Sequence, residues 1–227
     1  MTVICLCSGK LWIHSPLKIS DSLIEEVTAL GDVKYLVSPN KLHHLFISDW
    51  LKRFPEAKSY SSPGLERKRS DIKFSKSLGL NPEEEWSKEI NQTIFKGSSV
   101  MEEVVFFHHS SKTLILADLI ENFKPESLNW WQKIIARFGG VLYPNGKTPF
   151  DWRLSFLFGK DKAKSSLATI IEWKPENIII SHGECIIGNG LDFLKKVILM
   201  GLDTSDNKAI NLTALRYAQQ VMATRWL

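Results

Sequence analysis

Apolar positions along this chain follow two rhythms, one of period two and one near 3.6, and the switches between them outline its elements. Val3 to Cys7 and Lys10 to His14 predict two short strands joined at Ser8-Gly9, the second closed by Pro16. Ser20 to Leu30 predicts an amphipathic helix, with Ser22 and Glu25 as a capping box, Leu23, Val27 and Leu30 on one face, and Gly31 as its stop. Val33 to Val37 is apolar almost without interruption, as a strand covered on both faces should be. Ser38-Pro39 ends that strand, because proline has no backbone donor. Leu45, Phe46, Trp50, Leu51 and Phe54 then recur at helical spacing. His43 and His44 therefore fall in a strand-to-helix turn, the place where layered α/β folds build sites.

Ala57 to Tyr60 predicts a further strand and Ser61 to Gly64 a turn. Leu65 to Asn91 is the most polar stretch and reads as an elaboration outside the core. Val100 to His108 and Thr113 to Asp118 flank His109 to Lys112 and form the clearest hairpin. Leu128 to Phe138 predicts a helix carrying Trp130 and Trp131, ended by Gly139-Gly140, and Lys162 to Trp173 predicts another. Asn177 to Ser181 reads as a strand delivering His182, and Leu191 to Leu199 and Leu212 to Met222 read as closing helices. No repeat or linker interrupts residues 1–227, so a single domain is expected.

Composition narrows the class. The chain is 44% hydrophobic, enough for a sizeable core, yet no apolar run reaches the roughly 18 residues of a membrane span. A cytoplasmic protein with no membrane partner is expected. Cys5, Cys7 and Cys185 make an odd number in no disulfide framework and read as small apolar fillers in a reducing compartment. The formal charge of +4 permits anionic partners without demanding them. The basic segment Arg67 to Lys76 reads first as a solvated loop, and nucleic acid is the weakest of the partner classes.

The chemistry concentrates at strand ends. His43, His44, His182 and Asp118 each follow or end a strand, and imidazole with carboxylate is a ligand set for zinc, manganese or iron. If Ser110-Ser111 is the two-residue hairpin loop, Asp118 lies opposite Glu103, and the two side chains share a face. His108 and His109 then sit at the turn, roughly 20 Å away at ~3.3 Å per residue, and are poor ligands. Each choice has an ordinary structural reading as well: a satisfied polar group for the histidines, a helix cap for Asp118.

In their order these motifs resemble the metallo-β-lactamase superfamily, a four-layer αββα sandwich with metals at one edge. The finer likeness is carried by Leu11 to Pro16, Pro39 to His44, Pro63-Gly64-Leu65, Glu103 to His108, Ser111 to Leu114 and Asp118 to Phe123. These resemble a branch of that superfamily known only as a domain of unknown function. The superfamily motif Thr-His-x-His-x-Asp-His, laid on Ser38 to His44, meets Pro39 and Lys41 where its first two histidines belong. A third expected histidine, near Ser98 or Ser99, is also missing. Asp118 matches the aspartate that bridges two metals and His182 the last histidine.

The resemblance therefore implies half of a two-metal centre, a single divalent ion on His43, His44, Asp118 and His182 with Glu103 near by. Lys41 is expected to fill the vacated half, either as an electrophilic or anion-holding group or by neutralising Asp118 or Glu103 in a salt-bridged, metal-free pocket. Two functions follow as expectations: a single-metal hydrolase acting on a small, anionic molecule, or a non-catalytic relative that binds a small anionic ligand or a protein partner in the cleft.

Overall fold

The structure, a computed structural model, describes residues 1–202 and the side chains up to Lys196. Its first half carries β1 (Thr2–Cys5), β2 (Lys10–His14), α1 (Asp21–Leu30), β3 (Asp32–Ser38), α2 (Ile47–Arg53), β4 (Lys58–Ser61), α3 (Leu65–Lys68) and β5 (Lys76–Ser77). Then come β6 (Ile90–Phe95), β7 (Glu103–His108), β8 (Thr113–Ile115), β9 (Glu121–Asn122), α4 (Trp130–Gly139) and α5 (Phe150–Ser155). The described part closes with α6 (Lys160–Glu172), β10 (Asn177–Ile179), β11 (His182–Gly183) and α7 (Gly190–Leu202). The helix expected at Leu212 to Met222 lies outside the described residues.

One sheet runs β1-β2-β3-β4-β5 and a second β10-β8-β7-β6, while β9 and β11 pair in parallel beside them. Three apolar clusters fill the gaps between four layers. Leu11, Ile13 and Leu36 pack under Ile24 and Val27 of α1 and Ile47 and Trp50 of α2. Trp12, Tyr35, Val37, Val104 and Phe106 interlock between the sheets. Val105, Leu114 and Ile178 meet Trp152, Leu167 and Leu194 from α5, α6 and α7. The period-two alternation of β2 and β7 thus divides their side chains between two cores. In β3 the alternation slips at Lys34, because Leu11 pairs with Val33 but Trp12 with Tyr35. That bulge lets Val33 and Leu36 both face the helices while Tyr35 and Val37 face the second sheet.

The expected elements hold with a few corrections. Ser20, not Ser22, caps α1, accepting from the amide of Leu23. The polar stretch 65–91 is not peripheral: it supplies the edge strand β5 and sends Leu78 and Trp86 into the inter-sheet core. Its last residues begin β6, a strand the polar pattern of Asn91, Gln92 and Thr93 concealed. The three cysteines are exposed rather than core fillers, since β1 is an edge strand and Cys5 points outward from it.

Candidate metal centre

The strands are arranged so that the ends of β2, β3, β8 and β10 and the start of β7 meet at one edge. After β3, the amide of Val104 donates to the Pro39 carbonyl at 2.8 Å, tying the turn to β7. Asn40, wholly buried, then shapes the turn itself. Its Oδ1 accepts from the amides of Leu42 and His43 at 2.9 and 3.0 Å, the local bond that makes asparagine a turn former. Its Nδ2 donates to Glu103 Oε2 at 3.0 Å and to Asp118 Oδ2 at 2.8 Å.

The β7–β8 register pairs His108 with Thr113 and Phe106 with Ile115, the register expected from the two-residue loop. It carries Glu103 to the end of the return strand, where Oε1 accepts from the Ala117 amide and Oε2 from the Asp118 amide, both at 2.8 Å. Parallel pairing of β10 with β8 then brings His182 to the same edge.

Three side chains converge there. His43 Nε2 and His182 Nε2 lie 3.0 and 2.9 Å from the same oxygen, Asp118 Oδ1. One nitrogen from each ring and this oxygen all lie within 4.8 Å of one another. His43 is held from behind by a hydrogen bond between its Nδ1 and Ser15 Oγ. Ser15 follows β2 at φ 53°, a backbone region that non-glycine residues seldom enter. The trio forms part of a cavity of about 340 Å³ walled by Pro16, Leu17, Leu42, Phe46 and Ser181, and no lysine or arginine is among its lining residues.

Burial and charge pull in opposite directions here. Burial resists ionisation of Asp118, yet the charge of His43 and hydrogen bonds from both histidines hold its carboxyl well below the usual range. Burial likewise resists charging His43, but the neighbouring Asp118 carboxylate, with Glu103 beyond it, raises its pKa above 6.5. Glu103 is pushed up to about 7 by burial and then by Asp118, against three hydrogen bonds that favour its charged form.

The other expected site residues lie differently. Glu103 spends both oxygens on backbone amides and Asn40, and stands outside the trio. His44 shares the cavity wall but turns its Nδ1 to Arg69 Nη1 at 3.0 Å. Burial, then the charges of Lys68 and Arg69, depress its pKa to about 4. Lys41 runs along Gly64, where an added Cβ would meet its Cε at 3.1 Å. The amide contacts to Glu103 Oε2 and Asp118 Oδ2 come from Asn40. The basic segment is drawn into local bonds, Arg69 to Asp71 and Ser48, Lys68 to the Lys41 carbonyl, and Lys76 to Glu83. Asn40 and Ser15 are the residues the sequence reading passed over. The Pro-Asn step before the histidines was the available signal for the first, and Ser15 had none.

Residues 1–134 match the family described as a domain of unknown function (DUF4336). The chain belongs to this family. Solved structures place the family on a known architecture. DIM-1 metallo-β-lactamase is 15% identical with a TM-score of 0.56, over 87% of this chain and 85% of that one. A metallo-β-lactamase from Pontibacter korlensis is 13% identical with a TM-score of 0.57, over 89% and 86%. Rubredoxin oxygen:oxidoreductase from Desulfovibrio gigas is 14% identical with a TM-score of 0.53, over 93% of this chain but only 51% of that one. At such identities the likeness is one of fold, and this DUF4336 chain has the metallo-β-lactamase fold. No curated protein matches the sequence. Among the described residues no helix is long and apolar enough to cross a membrane.

Proposed function

We propose that this chain is a single-metal hydrolase whose ion is held by His43, Asp118 and His182. The observation that carries the reading is the convergence of one donor atom from each, within 4.8 Å, at the wall of the 340 Å³ cavity. The donors fit such an ion: two imidazole nitrogens and one carboxylate oxygen suit zinc, manganese or iron. Bound there, a divalent ion would supply Lewis acidity and make water acidic enough to ionise near neutral pH.

The chain's own residues do the rest. Ser15 fixes the His43 ring, the outer hydrogen bond that orients a ligand imidazole. Glu103 and Asn40 set the Asp118 backbone and its second oxygen, leaving Oδ1 to face the histidines. Leu17, Leu42 and Phe46 line the cavity and favour a small substrate with an apolar part.

Protein purified without chelator should carry about one equivalent of zinc, manganese or iron, and added metal should raise its melting temperature. A generic ester should be hydrolysed by wild type and not by His182→Ala. Less than about a tenth of an equivalent, with no thermal shift, sinks the reading.

One observation favours a second reading, a metal-free cleft that binds a ligand without chemistry. Asp118 already meets His43, His182 and Asn40 at hydrogen-bond distance. Under that reading the protein carries no metal with or without His182, and adding a chelator leaves ligand affinity unchanged.

A further inference from the structure

The α4 helix is amphipathic in the unusual sense, with its apolar face turned outward. Its ends are fixed by local bonds: Asn129 Oδ1 accepts from the Gln132 amide, Gln132 Oε1 accepts from the Asn129 amide, and Gly140 closes the far end in a left-handed conformation. Burial contributes little, since Ala136 is the helix's sole buried residue. At ~100° per residue Trp130, Ile134, Phe138, Trp131 and Ile135 cover an arc of roughly 140° centred opposite Ala136. Trp130 is 75% exposed, Phe138 83%, and the other three between 46% and 49%. Together they leave on the order of 600 Å² of apolar surface in water, at the upper end of what a soluble monomer shows.

Charge selects what covers this face. The helix carries Lys133 and Arg137 on one flank and no acidic residue. Past its end the partly buried Arg153 donates to the Gly139 carbonyl at 3.3 Å and lies over the Phe150 ring, adding positive charge beside the helix. A second copy of this chain would bring the same cationic flank to the interface. Residues 203–227 of this chain carry Asp203 and Asp206 against Lys208, Arg216 and Arg225, and the apolar stretch after Lys208 has no acidic side chain. Neither candidate supplies net negative charge. A paired tryptophan at one end, phenylalanine at the other and basic residues along the flank are the pattern of helices that lie in a lipid interface.

We propose that α4 docks this protein onto a membrane surface rich in anionic lipid, lying in the headgroup plane without spanning it. The apolar stripe was legible in the sequence, but only the packing shows that it faces away from the protein.

The test is co-sedimentation of the full chain with vesicles of phosphatidylcholine alone or with roughly a third phosphatidylserine, at low and high salt. Binding to the anionic vesicles, weakened by salt and accompanied by a blue shift of tryptophan fluorescence, is expected. Trp130→Ser with Phe138→Ser should weaken it at least tenfold, and Lys133→Glu with Arg137→Glu should remove the preference for phosphatidylserine. Both pairs are exposed, and unchanged circular dichroism and melting temperature should show that the variants fold. Three results overturn the proposal: no binding to either vesicle, equal binding by the Trp130→Ser/Phe138→Ser variant, or a dimer in sedimentation velocity that this variant dissociates.

Discussion

The two oxygens of Asp118 lie in opposite halves of one site, and the halves have diverged. Oδ1 faces two imidazoles beside an apolar cavity, the place of the proposed ion. Oδ2 faces the Asn40 amide, behind which Glu103 is tied to two backbone amides. Where the superfamily motif places histidines, Pro39 gives its carbonyl to Val104, Lys41 lies along Gly64, and Ser98 bonds Ser155. The second half is therefore sealed by hydrogen bonds rather than merely short of ligands. An amide donor can stand in for a cation on a carboxylate because it needs no charge of its own to be desolvated.

That contrast can be attacked from either side. Glu103→Ala should have the largest effect, because it strands the Ala117 and Asp118 amides and one N–H of Asn40 in the interior. At about 1–3 kcal/mol per buried unpaired donor, a loss of about 3 kcal/mol or more is expected in urea unfolding. A loss under about 1 kcal/mol would mean the seal is not structural. His182→Ala should take the metal from about one equivalent to under a tenth, while the metal-free protein loses only about 1 kcal/mol. Equal destabilisation by both substitutions would erase the distinction between the halves. Ser15→Ala should weaken metal binding by about tenfold through a freed His43 ring, read by competition with a chelator dye.

A smaller effect concerns pH. His14 stacks on Trp12, is 1% exposed, and has Nε2 buried without a hydrogen-bond partner. Burial holds its folded pKa well below 6.5, so as pH falls below 6.5 the unfolded chain takes up a proton that the folded chain refuses. This contribution to stability is present above that pH and is lost as pH drops, by at most about 1.4 kcal/mol per pH unit for one proton. Glu103 and His43, whose folded pKa values are raised, act in the opposite sense, so the test is a difference. His14→Phe should be less acid-sensitive than wild type between pH 6.5 and 4.5. Parallel curves would show that His14 is not the group responsible. The least change is expected from Pro39→His with Lys41→His. Although these restore the motif's histidines, Asn40 still occupies Asp118 Oδ2, and the ion count should stay at one. A second equivalent would show that the vacated half was open.

Much of this was legible beforehand. The hairpin register that sets Glu103 beside Asp118 follows from loop length and period-two alternation, and the His43 turn follows from Pro39. Three placements were not. His44 and Lys41 are neighbours of His43 in sequence, yet one turns to Arg69 and the other to Gly64, because side-chain direction within an irregular turn is set by whatever packs against it. Gln92 and Asn91 look like loop residues, although β6 pairs along its length with β7 and Gln92 Nε2 donates to the Gly79 carbonyl. Trp130 and Phe138 look like core residues and are not.

Residue order alone specified the alternation of strands and helices, the register of the central hairpin and the family to which the chain belongs, since these depend on short-range periodicity and turn chemistry. Which two of the paired candidates reach Asp118, which amide seals its far side and which helix turns its apolar face to solvent were decided in three dimensions. Those outcomes rest on contacts between strands more than sixty residues apart, and no local pattern encodes the direction in which a side chain will find its partner.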